Sequence, residues 1–192
     1  MTDCPEIRIN RAPVLTLWAA VVAERLGYTQ HEALTLGRAV AGLTAQSKGR
    51  RLGIYGAAPA PAREKTAAQR EAMGADRVPL MGREIPCVRS EDGVRALSRA
   101  TPIDPASVQR YLEGRFGEHL ALVREAFVSL AEAYDTASLD AHAMRLYMRL
   151  RPETPKGEKG WGKAGRLDLA KVARLAEEAR AASDRAPDLP RA

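Results

Sequence analysis

The chain contains few residues of the types that carry out nucleophilic or metal-dependent chemistry. It has two cysteines, Cys4 and Cys87, and three histidines, His31, His119 and His142. The cysteines match neither a zinc-ligand spacing nor a disulfide framework, and no histidine lies in an H-E-x-x-H motif. We therefore predict no catalytic residue, no metal site and no cofactor. Because distant segments can assemble an active site, an enzyme with a basic pocket for a phosphorylated ligand stays an alternative.

Positive charge is the more informative chemical feature. The 192 residues include 30 Lys and Arg against 24 Asp and Glu, which gives a formal net charge of +6. A positive protein is attracted to polyanions, chiefly nucleic acid, because neutralising phosphates releases condensed counterions. The excess charge therefore indicates a class of partner, while it carries no information on the fold.

The stretch of residues 33–63 has no acidic residue and five basic ones. Three of these cations lie within the segment 46–51, beside glutamine, serine and glycine residues that suit phosphate contacts. The predicted phosphate contacts of this stretch are Arg38, Lys48, Arg50 and Arg51. The alternative is a solvated basic turn, because cations at the carboxyl end of a helix complement its dipole.

One local pattern is more specific than the charge. Two short predicted helices, residues 94–100 and 104–112, are joined by a three-residue turn. Ile103 takes the apolar position after the turn, and Ser98 takes a small-residue position five residues earlier. This arrangement resembles the helix-turn-helix DNA-binding unit over about a tenth of the chain. It departs from the motif at Pro102, where the motif prefers glycine.

The resemblance implies that the second helix lies in the major groove of duplex DNA. Val108 and Leu112 would then face the core, while Gln109 and Arg110 would face the DNA. Glutamine can pair with adenine and arginine with guanine. The alternative is that two short helices joined by a proline-containing turn produce the same pattern without any DNA contact.

The loop of residues 152–165 combines glycine, lysine and tryptophan. Cationic groups beside an aromatic ring are typical of contacts to flexible nucleic acid, so the predicted binding residues here are Lys156, Lys159, Trp161 and Lys163. The segment is not a phosphate-binding P-loop, because Lys163 is followed by Ala164 and not by Ser or Thr. Packing of Trp161 onto the helical core is the alternative. Three arginines precede the loop and extend its basic character: Arg145, Arg149 and Arg151.

The elements that position these residues are predicted to form a mainly α fold, with six to seven helices and one small β-hairpin near residues 78–88. Residues 1–10 are expected to be an extended lead, and Thr29 with Glu32 forms a capping-box pattern at the start of the second helix. Pro79 and Pro86 would confine the two strands of the hairpin to edge positions. A short helix is predicted over residues 90–99.

Four segments describe the predicted organisation, and a single compact domain that contains them is the alternative. They are an N-terminal helical hairpin (1–52), a linker with a short helix (53–77), the β-hairpin plus a helical region (78–182) and a frayed tail (183–192). The longest uncharged run, Ala12 to Ala23, is about a dozen residues, whereas a membrane span needs roughly 20. We therefore expect a cytoplasmic protein that has no membrane partner.

The sequence thus favours a non-enzymatic protein that binds nucleic acid, first of all double-stranded DNA. Many Ala and Arg with few Lys are typical of a high-GC bacterial source. A second function stays open, which is a helical protein-interaction module or a homodimerising adaptor. In that alternative the N-terminal hairpin presents Leu17, Trp18 and Val21 to a partner or to a second copy of the chain.

Overall fold

The structure, a computed structural model, describes residues 6–154 and 163–184. Within these ranges the chain is mainly helical, and its seven α-helices agree with the prediction of six to seven. The helices are α1 (Arg11–Arg25), α2 (Gln30–Arg51), α3 (Ala60–Ala72), α4 (Pro105–Phe116), α5 (Leu120–Glu132), α6 (Thr136–Leu150) and α7 (Leu169–Ser183). The strands are β1 (Ile7–Ile9), β2 (Asp76–Leu80), β3 (Arg83–Ser90), β4 (Gly93–Ser98), β5 (Thr101–Pro102) and β6 (Gly165–Leu167). The prediction of one β-hairpin is wrong, because these strands form two sheets, β2-β3-β4-β5 and β1-β6.

Helices α1 and α2 form the predicted helical hairpin. The capping box at the start of α2 is present, with Thr29 and Glu32 each accepting a backbone N–H of the other. The helices approach closely at Gly37, where an added Cβ would lie 2.4 Å from the carbonyl oxygen of Thr16 and 2.8 Å from the nitrogen of Ala20. This pairing brings the amino end of α1 beside the carboxyl half of α2.

The four-stranded sheet contains the predicted β-hairpin as its first two strands. Met81 and Gly82 join β2 to β3 and both have positive φ, 52° and 70°, as a tight hairpin turn requires. The expectation that both prolines lie in edge strands holds for Pro79 but is wrong for Pro86, because β3 lies between β2 and β4. Pro86 is tolerated there because the pairing of β3 with β4 begins at Cys87, so no ladder hydrogen bond to β4 is lost.

The helix predicted over residues 90–99 is wrong, since this segment contains strand β4. The apolar residues of this short segment suit a helix as well as a strand, and the Asp-Gly pair at 92–93 is the local signal for a hairpin turn. Gly93 has φ of 99°, a conformation open mainly to glycine. It follows the turn that reverses the chain from β3 into β4.

Side chains of α2 supply a further reason for strand structure in β4. The backbone N–H of Val94 donates to Oε1 of Glu32 at 2.7 Å, and that of Ala96 donates to Oγ1 of Thr35 at 3.1 Å. These acceptors lie about 60 residues away in the sequence, so a pattern within residues 90–99 could not reveal them. Tertiary hydrogen bonds of this kind routinely override weak local propensity.

The second sheet joins two distant parts of the chain. Strand β1 lies in the segment predicted as an extended lead, and it pairs antiparallel with β6, with Ile7 opposite Leu167. Both side chains are buried. Residues 7–9 of the expected lead are therefore a strand that covers part of the core.

The buried apolar residues within the described ranges, apart from Leu97, form one cluster that includes the buried face of α1. Trp18 is fully buried, its indole N–H donates to the carbonyl oxygen of Ala143 at 2.9 Å, and its ring meets Phe127 edge-on with centroids 5.6 Å apart. Leu17 and Val21 are buried as well. The alternative in which Leu17, Trp18 and Val21 face a partner or a second copy is therefore wrong.

The other predicted helices are present, with Asp104 and Asp168 as the expected N-caps of α4 and α7. All residues of α3 are described, and none of them is buried. The predicted frayed tail begins at Ser183, which ends α7, and residues 185–192 lie outside the described residues. Over the described ranges, no helix has the length and apolar character that a membrane span requires.

Candidate functional site

Four cations from three elements meet at one end of the helical hairpin. Arg11 begins α1, Lys48 and Arg51 lie in the last turn of α2, and Arg151 is the C-cap residue directly after α6. We call these four residues the basic cluster. Their proximity shows in the pKa of Lys48, which burial lowers first and the positive charges of Arg11, Arg151 and Arg51 lower further.

Packing of the hairpin explains how the basic cluster assembles. Gly37 of α2 packs between Thr16 and Ala20 of α1, so antiparallel helices place Arg11 near the turn of α2 that precedes Lys48. That turn contains Thr44, whose Oγ1 is buried and has no hydrogen-bond partner within the described ranges.

Hydrogen bonds tie Arg11 to the segment that follows α6. Its Nε donates to the carbonyl oxygen of Pro152 at 3.2 Å, and a second guanidinium nitrogen donates to Oγ1 of Thr154 at 3.4 Å. The hydroxyl of Tyr147 donates to the backbone carbonyl of Arg11 at 3.2 Å. Burial raises the pKa of Tyr147 to about 12, although the charges of Arg11 and Arg151 oppose that rise. The tyrosine therefore stays a neutral donor that fixes the start of α1 near α6.

Helix dipoles account for little of this charge. The carboxyl ends of α2 and α6 each contribute roughly half a negative charge, and the amino end of α1 contributes roughly half a positive one. The dipoles together offset about half of one charge out of four. Within the described ranges, no carboxylate lies at ion-pair distance from Arg11, Arg51 or Arg151. The basic cluster is therefore a concentrated positive surface.

Two more cations extend this surface. Arg50 is exposed in the last turn of α2. The guanidinium of Arg83, in the β2–β3 hairpin, donates to Oγ of Ser47 at 3.1 Å. The predicted basic turn thus gains neighbours from α1, α6 and the sheet.

Arg38 lies elsewhere on α2, away from its last turn. Its guanidinium carbon lies over the ring of Tyr111 in α4, 4.6 Å from the ring centroid. Arg115 lies over the same ring at 5.6 Å. The structure therefore places Arg38 with α4 and separates it from Lys48, Arg50 and Arg51 along the helix.

The second helix of the resembled DNA-binding unit is present as α4, while strand β4 occupies the place of the first. As predicted, Val108 and Leu112 are buried and Arg110 is exposed, its side chain 70% accessible. Arg110 lies 3.8 Å from the carboxylate of Asp104. Gln109 is partly exposed and donates to Oε1 of Glu113 at 2.8 Å. Carboxylates thus engage both predicted base-reading side chains.

The predicted loop residues Lys156, Lys159 and Trp161 lie outside the described residues. Lys163 is described and exposed, two positions before β6. Of the arginines noted before the loop, Arg149 pairs with Glu178 at 2.9 Å and Arg151 joins the basic cluster.

Sequence reasoning missed Arg11 as a site residue. No other cation stands beside it except Arg8, and its partners Pro152 and Thr154 lie 141 and 143 positions away. The available signal was the short connection between α1 and α2, because it implies that Arg11 packs against the carboxyl half of α2.

Neither the clefts nor the arrangement of potential metal ligands in the described part of the chain provides a functional-site candidate as strong as the basic cluster. A cleft of about 290 Å³ is lined partly by His31, Glu32, Asp92 and Arg95, but the Glu32 carboxylate is already engaged by backbone N–H groups. Among residues 6–154 and 163–184, no group of three or more His, Cys, Asp or Glu side chains could hold a metal ion. Comparison with protein-family models, curated proteins and solved structures finds no match to this chain.

Proposed function

We propose that the protein binds nucleic acid through the phosphate backbone, with the basic cluster as the main contact. The observation that carries the proposal is the convergence of Arg11, Lys48, Arg51 and Arg151 from three elements. Arginine and lysine are the usual partners of backbone phosphates. Duplex DNA is the first ligand to test, and Lys156, Lys159, Trp161 and Lys163 stay predicted contacts that follow Arg151 in the sequence.

The energetic argument is that a phosphate polyanion relieves repulsion within the cluster. Packing these cations together costs free energy in the absence of a ligand, because the positive charges of Arg11, Arg151 and Arg51 lower the pKa of Lys48 in addition to the larger effect of its burial. Each phosphate neutralised releases close to one counterion from duplex DNA. The cations repel one another in the free protein, and the phosphates neutralise them in the complex. This difference favours the bound state.

The proposed contact does not read base sequence. Gln109 and Arg110 are engaged by Glu113 and Asp104, and the acidic groups on this face of α4 would repel the phosphates that flank a groove. Contacts to phosphates position a protein on a duplex without selecting bases. We therefore expect similar affinity for duplexes of different sequence.

Fluorescence anisotropy with a labelled duplex, titrated with salt, tests the proposal. The plot of log affinity against log salt should have a slope of about −3 to −4, which is close to −1 for each phosphate contacted. A polyglutamate of matched charge serves as the control for attraction to any polyanion. Absence of duplex binding at low salt, or equal affinity for polyglutamate, would contradict the proposal.

A further inference from the structure

A second group of cations lies between α2 and α4, and the proposed function does not use it. Arg38 of α2 and Arg115 of α4 both lie over the ring of Tyr111, with guanidinium carbons 4.6 Å and 5.6 Å from the ring centroid. We call these three residues the arginine–tyrosine cluster. Tyr111 itself is half-buried and packs against the core, so it gives both exposed guanidinium groups a common contact at a defined place on the surface.

The hydrogen-bonding edges of the two arginines are unoccupied within the described ranges. Neither Arg38 nor Arg115 makes a hydrogen bond or an ion pair there, whereas Arg110 on the same helix pairs with Asp104 at 3.8 Å. A guanidinium attracted to a ring through its face keeps N–H donors along its edge. Each arginine therefore offers donors to an outside acceptor.

The surfaces of α2 and α4 are open one helical turn away from Arg38 and from Tyr111. Gly42 lies one helical turn after Arg38, and Gly114 lies one turn after Tyr111, and an added Cβ at either would meet no atom of the described chain within 4 Å. Glycine inside a helix costs about 0.5–1 kcal/mol relative to alanine. Neither glycine adds a side chain that would obstruct a ligand approaching the two arginines.

We propose that Arg38 and Arg115 bind a phosphate group, with Tyr111 holding them in position. Two guanidinium groups neutralise the two negative charges of a phosphate monoester, and the planar fork matches phosphate oxygens in bidentate geometry. A carboxylate carries one charge and leaves the second arginine unmatched. The phosphate monoester belongs either to a small phosphorylated molecule or to the terminal phosphate of a nucleic-acid strand. The site stands on its own geometry and does not depend on the basic cluster.

Nuclear magnetic resonance of the arginine Nε–Hε groups tests the site directly. Titration with inorganic phosphate should shift the Arg38 and Arg115 signals, and phenyl phosphate should shift them in the same way. Replacing both residues with lysine keeps the charge and removes the fork, so phosphate binding should weaken roughly tenfold or more. Arg110→Gln, which removes a paired cation from the same helix, is the matched control and should leave binding unchanged.

Three outcomes would overturn the proposal: phosphate shifts neither signal, the lysine variant binds phosphate as the parent protein does, or Arg110→Gln weakens binding equally. The affinity of the lysine variant for a 5′-phosphorylated duplex then identifies the source of the phosphate. Weaker duplex binding assigns the site to nucleic acid, whereas unchanged duplex binding assigns it to a small molecule. If the protein binds the duplex but phosphate shifts neither arginine signal, this site alone is contradicted. If phosphate shifts the arginine signals but the protein does not bind the duplex, the proposed function alone is contradicted.

Discussion

The carboxylate of Glu32 joins the first turn of α2 to strand β4 through the backbone of Val94. Its Oε1 accepts the Val94 N–H at 2.7 Å, while its Oε2 accepts the N–H of Thr29 at 2.8 Å. One side chain therefore caps helix α2 and also accepts a hydrogen bond from a backbone N–H of strand β4.

Replacing Glu32 with Ala should lower the free energy of unfolding by about 2–3 kcal/mol, because a helix cap and a part-buried hydrogen bond are both lost. Urea denaturation measures the change. The exposed Glu125→Ala on α5 is the control and should stay within about 0.5 kcal/mol of the parent. A loss of similar size in the two variants would contradict the dual role of Glu32.

The same carboxylate should make stability depend on acid. Burial alone would raise the pKa of Glu32, but hydrogen bonds from Val94 and Thr29 outweigh it, so the pKa falls below its ordinary value of 4.5. A group with a depressed folded pKa stabilises the fold fully above its unfolded value and loses that contribution as pH falls through the folded value. The stability difference between the parent and Glu32→Gln should therefore shrink below about pH 4.5. A difference that is constant with pH would show that the charge of Glu32 is immaterial.

The basic cluster should contribute affinity without sequence preference. Lys48→Gln combined with Arg51→Gln should lower the salt slope of duplex binding by about two and weaken all duplexes alike. Arg63→Gln combined with Lys65→Gln removes the same charge from the exposed helix α3 and should change the slope less. Anisotropy titrations compare the two variants. Equal losses in both would mean that net charge, and not the basic cluster, attracts the duplex.

Two glycines of α2 should respond oppositely to alanine. At Gly37 a Cβ would lie 2.4 Å from a backbone oxygen of α1, so Gly37→Ala should cost about 2 kcal/mol or more through overpacking. At Gly42 the described chain leaves the Cβ in open space, so Gly42→Ala should add about 0.5–1 kcal/mol of stability from helix propensity. Thermal unfolding of both variants checks this, and a stable Gly37→Ala would refute the close helix contact.

Local chemistry explains which parts of the fold the sequence could predict. The Thr29–Glu32 capping box and the caps at Asp104 and Asp168 follow from residues two or three positions apart, and all are present. Strand β4 was mistaken for a helix because its stabilising acceptors, Glu32 and Thr35, lie on another element.

In the candidate site, too, only the features that depend on residues close in sequence could be predicted. Lys48, Arg50 and Arg51 were predicted because they are neighbours in the sequence. Arg11 could not be, because it reaches the surface beside them through a helix contact and through bonds to residues 152 and 154. Charge predicts that a basic surface exists, whereas packing decides which cations share it.

The pairing of β1 with β6 has a consequence for synthesis on the ribosome. Strand β1 is the first described element to emerge, but its partner, opposite Ile7 at Leu167, emerges after α6 is complete. Domains begin to fold while translation continues. Helices α1 and α2 and the four-stranded sheet can therefore form before β1 pairs with β6. A nascent chain stalled after α6 would therefore keep Ile7 and Ile9 without their strand partner, available to chaperones until the last helix is released.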